Sequence, residues 1–89
     1  MHVSYHTNFI KNFKKRFGTN LKVRKKYKER LKMFLDNSNN PLLRNHGLVG
    51  DKIHLKAFSI TGDIRVVYKQ VDESYIFLDI GTHNQVYKS

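Results

Sequence analysis

Between positions 53 and 80, apolar and polar residues alternate with a period of two. Successive side chains of a β-strand point to opposite faces, so this spacing is typical of strands that bury one face. Residues that favour turns interrupt the alternation at Thr61-Gly62 and at Asp72-Glu73-Ser74. The stretch therefore predicts three antiparallel strands, over about 53–58, 64–69 and 75–80.

The alternation also predicts which side chains of these strands face the core. The predicted core-facing residues are Ile53, Leu55, Ala57, Ile64, Val66, Tyr68, Ile76, Leu78 and Ile80. The other, partly open face then carries His54, Lys56, Arg65, Lys69 and Asp79. Because Arg65 and Asp79 would lie on neighbouring strands, an ion pair between them is an alternative to any functional role for the arginine.

Two amphipathic helices are predicted before the sheet. Apolar residues recur at helical spacing between Thr7, a possible N-cap, and Gly18, so a first helix is expected over 8–17. Thr19 or Asn20 can cap a second helix, which ends at the turn-forming segment 37–41. The short turn between the helices predicts an antiparallel pair.

Two further segments complete the predicted architecture. Residues 2–6 favour a short strand, and residues 41–52 favour an irregular connection whose Leu42, Leu43 and Leu48 pack on the core. With 89 residues, the chain is expected to form one domain over 1–89. The predicted fold class is α+β: an antiparallel sheet of three or four strands packed by the N-terminal helix pair.

Positive charge is concentrated in the predicted helices. The formal net charge is +10, and eleven of the seventeen Lys and Arg lie between Lys11 and Lys32, where Glu29 is the only acid. A solvated helix face usually mixes both signs, so this imbalance predicts a polyanionic partner, with nucleic acid favoured over a lipid surface. Binding to phosphates would weaken steeply with salt.

Other features of the composition exclude whole classes of function. The chain has no cysteine, which excludes disulfides, thiol chemistry and zinc–cysteine sites. No metal-binding spacing such as HExxH occurs, so no metal or other cofactor is expected. The N-terminal region lacks an apolar run long enough for a signal peptide or membrane span, and we expect a soluble, cytoplasmic protein.

The polar residues near the predicted sheet match the needs of a metal-free ribonuclease. Cleavage of RNA through its own 2′-hydroxyl requires a base, an acid and positive charge near the phosphate. Histidine, with an ordinary pKa near ~6.5, can serve as either proton carrier, and an arginine can bind phosphate oxygens. Structural roles are equally open: His46 can bond to loop backbone, His83 can be a turn residue, and Tyr87 can cover the sheet edge. Residue types alone leave a ribonuclease as one hypothesis among several.

Three segments resemble a known family: LRNHGLVGD, GDIRVVYKQ and IFLDIGTHNQVY. Together with the order of elements, they are similar to the RelE/StbE toxin superfamily, and most similar to its YafQ-like mRNA interferases. The H-x-L-x-G pattern of that branch occurs over positions 46–50, and its closing GTH occurs at Gly81-Thr82-His83, four residues before Tyr87. The resemblance implies a microbial-ribonuclease-like fold and a ribosome-dependent endoribonuclease toxin that needs no cofactor.

The resemblance also implies a set of site residues. Those that match active-site positions of the YafQ-like branch are His46, Asp63, His83 and Tyr87. Arg65 matches the arginine that contacts the scissile phosphate in the wider superfamily, and Lys56 is the nearest equivalent of its strand lysines. The chain differs from the branch at Ser59, where a histidine is usual, and at Ile64, where tryptophan is usual.

These matches lead to an expected division of roles. His83 is the first candidate for proton transfer and His46 the second, without an assignment of acid or base. Asp63 would orient a histidine or accept a proton. Arg65 would stabilise the phosphate, and Tyr87 would position the substrate, which Lys56 would also help to bind.

The resemblance implies three partners. They are a cognate antitoxin, mRNA and ribosomal RNA on the ribosome, and operator DNA bound only by the toxin–antitoxin complex. An inactive RNA- or ribosome-binding module on the same fold is the alternative, because Ser59 and Ile64 replace active-site residues of the branch. A plain DNA-binding protein ranks third, since the sequence shows no recognition helix.

Overall fold

The computed structural model of this protein describes residues 2–87. Five strands and three helices follow one another as β1 (His2–Tyr5), α1 (Thr7–Phe17), α2 (Leu21–Asp36), β2 (His46–Gly47), β3 (Lys56–Ser59), β4 (Ile64–Val71), β5 (Ser74–Thr82) and α3 (His83–Tyr87). Short 3₁₀ turns at Pro41–Leu43 and Gly50–Lys52 flank β2. The predicted α+β class is confirmed. Within the described residues, no helix combines the length and apolar character needed to cross a membrane.

The sheet is larger than predicted and mixed in direction. Its strand order is β1-β5-β4-β3-β2, and β1 runs parallel to β5 while the other neighbours are antiparallel. The expectation of three or four antiparallel strands was therefore wrong in number and in one pairing. A two-residue strand such as β2 leaves no periodic pattern in the sequence, and the place of β1 depends on a pairing across more than seventy residues.

Polar side chains cap the first two helices. His6, rather than the predicted Thr7, precedes α1, and its Nδ1 accepts from the Asn8 N–H at 3.0 Å. Asn20 caps α2 by accepting from the Val23 N–H at 3.1 Å. An extended residue with a side-chain acceptor is enough to satisfy the free N–H groups of a first turn, and His6 meets both conditions.

An aromatic cluster joins α2 to the sheet. Phe34 of α2 is buried and stacks on Phe58 of β3, with ring centroids 4.4 Å apart. Its three other ring contacts are edge-on, to Tyr68 at 5.1 Å, to Tyr75 at 4.7 Å and to Phe77 at 5.9 Å. Such pairs contribute roughly 0.5–1.5 kcal/mol each beyond their apolar area. One side chain thus fastens the helix to β3, β4 and β5.

The face of β5 that meets the helices differs from the prediction. Tyr75, Phe77 and Ile80 are buried there, whereas Ile76 and Leu78, both predicted to face the core, are only half-buried. The buried positions are spaced first by two residues and then by three. A strictly alternating strand cannot produce that spacing.

A β-bulge explains the change of spacing in β5. Val67 pairs with Asp79, but the next residue, Tyr68, pairs with Phe77, so Leu78 has no partner directly opposite. An extra residue of this kind reverses the faces on one side of it relative to the other. The period-two prediction failed because nothing in the alternation itself marks the inserted residue.

The strand β3 starts later than predicted and has two buried faces. Ile53 is 66% exposed, and the strand begins only at Lys56. Phe58 lies in the core beneath the helices, while Ala57 is buried on the opposite face with Val67 and Val86. The helix α3 therefore covers part of the face that was expected to be open.

Several large apolar side chains outside the sheet are exposed. They include Ile10 of α1, Leu21 and Leu35 of α2, and Leu42 in the connection, which was predicted to pack on the core. Leu43, one residue later, is fully buried as predicted. The helices thus bury narrower stripes than their apolar content indicated.

The buried tyrosines predict a loss of stability in alkali. Burial raises the pKa of Tyr27, with a further contribution from the hydrogen bond it donates to Tyr5. Burial also raises the pKa of Tyr68, against the opposing effect of its hydrogen bond to Asn45. In the unfolded chain both ionise near the ordinary value of 10.0. Their stabilising contribution is therefore complete below that pH and is lost as pH rises above it, by about 1.4 kcal/mol per pH unit for each tyrosine.

Denaturant unfolding of Tyr27→Phe and Tyr68→Phe across this range checks the effect. Each variant should show a shallower decline above pH ~10 than the wild type, because a phenylalanine has no proton to lose. Loss of the bond to Asn45 adds a constant offset to Tyr68→Phe, which is measured near neutrality and subtracted. Parallel curves for variants and wild type would contradict the prediction.

Candidate active site

A cleft opens on the face of the sheet opposite α1 and α2. It has a volume of about 840 Å³ and lies between β2 with its following loop, β4 and α3. Its polar lining includes His46, Arg65, His83 and Tyr87. Leu48, Val49 and Leu55 form an apolar wall. Four of the six predicted site residues therefore meet in one cavity.

A capping box places two of these residues at the start of α3. The Thr82 N–H donates to Gln85 Oε1 at 2.9 Å, and the Gln85 N–H donates back to Thr82 Oγ1 at 3.4 Å. This reciprocal pair ends β5 and begins α3 without an intervening loop. His83 and Tyr87 then lie one helical turn apart, with ring centroids separated by 4.5 Å.

Gly81 brings the end of β5 close to its neighbours. A Cβ at this position would lie 2.7 Å from Gln85 Oε1 and 2.8 Å from Arg16 Nη1, so a larger residue would displace both side chains. In the sheet, Gly81 pairs directly with Arg65. The absence of a side chain therefore allows α3 to turn back over β4, where Arg65 lies.

Asp79 is bound by α1 and does not pair with Arg65, which lines the cleft. Arg16 Nη1 donates to Asp79 Oδ1 at 3.1 Å and to the Ile80 carbonyl at 2.8 Å, and the Asn12 side-chain amide donates to the same carboxylate oxygen at 2.8 Å. The alternative in which Arg65 pairs with Asp79 is therefore wrong. Asn12 and Arg16 of α1, rather than Arg65, bind the carboxylate.

Arg65 lines the cleft together with a second cation, Lys52, and one carboxylate, Asp51. Its Nη1 donates to His83 Nδ1 at 3.3 Å, and its Cζ lies 5.5 Å from the Tyr87 ring centroid. Within residues 2–87, Arg65 Nε and Tyr87 Oη are buried without a hydrogen-bond partner. Leaving such groups unsatisfied costs about 1–3 kcal/mol each. An anionic oxygen in the cleft would relieve that cost.

The hydrogen bonds of the two histidines define different tautomers. A carbonyl can only accept, so the 2.8 Å bond between His46 Nδ1 and the Arg44 carbonyl puts a proton on Nδ1 and leaves Nε2 of the neutral ring unprotonated. A guanidinium can only donate, so the Arg65 bond requires an unprotonated Nδ1 on His83 and puts the ring proton on Nε2.

Asp63 and Lys56 lie outside the cleft lining. Asp63 is exposed in the β3–β4 turn, where its N–H donates to Thr61 Oγ1 at 3.3 Å. Lys56 is exposed, and its position two residues before Phe58 places it on the helix side of β3. The structure thus brings together His46, Arg65, His83 and Tyr87 but not these two. Within residues 2–87, no three His, Cys, Asp or Glu side chains converge as metal ligands.

The two departures from the YafQ-like pattern occupy different surroundings. Ile64 is half-buried and packs against the core between sheet and helices, away from the cleft. Ser59 is half-buried and lies directly opposite Arg65 in the β3–β4 pairing. The substitution at position 64 therefore alters packing, and the one at position 59 alters the strand beside the arginine.

Gln85 is the positioning residue that the sequence analysis missed. The signal was present, since Thr82-His83-Asn84-Gln85 matches the T-x-x-Q form of a capping box. The predicted strand ended at residue 80, and the only structural role considered for His83 was that of a turn residue. A strand that passes directly into a helix carries no Gly or Pro cluster to mark the boundary.

Removal of the Gln85 acceptor should loosen the start of α3. In Gln85→Ala, the Thr82 N–H loses its partner, so the free energy of unfolding should fall by about 1 kcal/mol and exchange of that amide should accelerate. Amide hydrogen exchange and denaturant unfolding measure the two effects. Gln85→Glu retains an acceptor and serves as the control. Unchanged exchange at Thr82 in the alanine variant would refute this account of the helix start.

Comparison with known proteins identifies the fold. No protein-family model and no curated protein matches the chain. Among solved structures, YafQ from E. coli superposes with a TM-score of 0.81 at 20% identity over 96% of each chain. YafQ in the E. coli DinJ–YafQ toxin–antitoxin complex gives 0.78 at 21% identity over 96% of this chain and 94% of that one.

A third solved structure extends the likeness beyond YafQ. The YoeB/ParE toxin from Agrobacterium tumefaciens gives a TM-score of 0.77 at 15% identity over 93% of this chain and 99% of that one. Likeness at such identities establishes the fold alone. The chain has the fold shared by the YafQ and YoeB toxins, as its resemblance to the RelE/StbE superfamily predicted.

Proposed function

We propose that this protein is the toxin of a type II toxin–antitoxin pair and cleaves ribosome-bound mRNA without a metal ion. The observation that carries the proposal is the convergence of His46, Arg65, His83 and Tyr87 in one cleft. Two proton carriers beside a cation and an aromatic ring are what attack by an RNA 2′-hydroxyl on its own phosphate requires. The fold shared with known toxins supports the same assignment.

His46 acts as the base in the proposed reaction. Its Nδ1–H is already bonded to the Arg44 carbonyl, so the lone pair of Nε2 is available to the cleft. Nε2 takes the proton of the 2′-hydroxyl while the 2′-oxygen bonds to phosphorus. The Arg44 carbonyl continues to accept from Nδ1–H and so stabilises the positive charge that the ring acquires.

Arg65 and His83 complete the reaction on the leaving-group side. A phosphate oxygen is a stronger acceptor for a guanidinium than an imidazole nitrogen, because the bond then joins opposite charges. When Arg65 turns to the phosphate, His83 Nδ1 is released and takes up a proton from solvent, to which His83 is exposed. The Nε2–H of the resulting imidazolium protonates the 5′-oxygen as its bond to phosphorus breaks. The products are a 2′,3′-cyclic phosphate and a 5′-hydroxyl.

Tyr87 positions the substrate beside Arg65 and His83. Within residues 2–87 its buried hydroxyl and Arg65 Nε have no hydrogen-bond partner, so each has a donor to offer to a phosphate oxygen. The apolar wall of Leu48, Val49 and Leu55 suits the uncharged faces of ribose and base. Asp63 and Lys56 lie outside the cleft, and the proposed reaction assigns them no step.

The proposed partners follow from charge and fold. A net charge of +10 suits the phosphates of mRNA and ribosomal RNA. YafQ, a protein of the same fold, has been crystallised with DinJ as a toxin–antitoxin complex. By analogy we propose a cognate antitoxin with acidic character, which would neutralise the basic helices, and operator DNA bound by the complex alone.

Cleavage of mRNA in a translating extract tests the proposed activity. His83→Ala and Arg65→Ala should each lower the cleavage rate by about 10²-fold or more, because general acid–base catalysis and phosphate stabilisation have effects of that size. His54→Ala is the matched control, since His54 is exposed and does not line the cleft. Intact message at a wild-type dose that saturates the ribosomes would favour the inactive binding module.

A substrate with a better leaving group distinguishes the proposed base, His46, from the proposed acid, His83. Replacing the bridging 5′-oxygen by sulfur removes the need for an acid, because a thiolate is far more stable than an alkoxide. We expect this substrate to restore most of the rate of His83→Ala and little of the rate of His46→Ala, in single-turnover cleavage on programmed ribosomes. Equal restoration in both variants would overturn the division of roles.

A further inference from the structure

A second cavity, separate from the cleft, is lined by cations. This basic groove has a volume of about 450 Å³ and lies between α2, the connection after it and the β3–β4 hairpin. Its lining includes Lys26, Arg30 and Arg44, with the hairpin segment 59–62 opposite, and no acidic residue. Resting on the proposed function, we propose that the basic groove binds the phosphodiester backbone of the RNA strand whose cleavage site occupies the cleft.

Lys26 and Arg30 form one wall of the basic groove. They lie four residues apart on α2, so they share a helix face, and both are half-buried. Arg30 Nη1 donates to the Leu42 carbonyl at 2.8 Å, which fixes the guanidinium across the groove and uses one of its five N–H donors. Lys26 has an ion pair with Glu29 at 3.8 Å, and exposure of both partners keeps that pair weak.

Arg44 supplies the facing cation from a strained position. Its φ of +48° is left-handed, a conformation that side chains rarely adopt outside glycine and asparagine. Among the described residues, Arg44 is in no salt bridge. Its side chain lines the basic groove, while its carbonyl accepts from His46 in the cleft. The left-handed turn thus connects the two cavities through one residue.

The β3–β4 strand pair brings the two cavities together. Ser59 lines the basic groove and pairs with Arg65, which lines the cleft. A single strand that leaves the cleft around this hairpin therefore meets the basic groove next. Because phosphates recur along an RNA at regular spacing, one molecule can satisfy both cationic sites, and their adjacency favours RNA over an acidic protein.

Binding of non-cleavable RNA tests the basic groove independently of catalysis. The probes are a 2′-O-methyl trinucleotide and a 2′-O-methyl dodecanucleotide, measured by fluorescence anisotropy over a range of salt. In Lys26→Gln with Arg30→Gln, affinity for the dodecanucleotide should fall roughly tenfold or more. The slope of log affinity against log salt should become shallower by about 1.4, since each single-strand phosphate contact contributes about 0.7. Trinucleotide binding should not change.

The matched control is Lys11→Gln with Lys15→Gln, which removes the same charge from exposed positions on α1. We expect this control to lower the affinity for the dodecanucleotide much less than the groove variant does. Equal losses of affinity in the two variants would mean that RNA binding depends only on the net charge of the protein. Unchanged dodecanucleotide affinity in the groove variant, with a loss confined to 30S ribosomal subunits, would assign the groove to ribosomal RNA. Either result would overturn the inference.

The cleavage assay keeps the two proposals apart. If the groove variant binds the dodecanucleotide as tightly as the wild type does, and the wild type cleaves mRNA, the basic groove is rejected and the proposed nuclease stands. Length-dependent binding through the groove without any cleavage by the wild type would reject the nuclease and leave an RNA-binding groove.

Discussion

The bulge in β5, with the α1 contacts that secure it, determines both the core and the cleft. Before Leu78 the strand buries Tyr75 and Phe77 under the helices, and after it the strand buries Ile80. Arg16 of α1 donates to the Asp79 carboxylate and to the adjoining Ile80 carbonyl. This pair is partly buried and takes part in a small network, so it constrains geometry more than an exposed ion pair does. Without the inserted residue, the polar end of β5 would present the opposite face.

The consequence reaches the cleft through three consecutive residues. Gly81 allows close approach to Arg16 and Gln85, Thr82 forms the capping box, and His83 opens α3. His83 is therefore fixed by backbone geometry on one side and by Arg65 on the other. A site carried by the first turn of a helix is more rigid than one carried by a loop, and rigid placement is what proton transfer needs.

The sequence predicted the helices and strands better than it predicted which face of each strand is buried. Strong periodicity predicted α1, α2, β4, β5 and part of β3, and the motif resemblance selected the four residues His46, Arg65, His83 and Tyr87 that line the cleft. The bulge at Leu78 could not be predicted, because nothing in the alternation of apolar and polar residues marks an inserted residue. Asp63 and Lys56 were selected by alignment to motifs, and a shift of one residue in a strand moves a side chain to the other face.

The charged side chains fall into two groups: some pair with one another and hold the fold together, and others have no partner of opposite charge. Asp79, the carboxylate that could have neutralised Arg65, is committed to Arg16, and Arg65 instead contacts a histidine. Arg44 likewise has no carboxylate partner in residues 2–87. Folding thus collects cations at the cleft and the basic groove that the unfolded chain keeps apart, which costs stability through repulsion. A polyanion that binds only the folded chain offsets this cost by mass action, so the same unpaired charges that weaken the free protein favour its complexes.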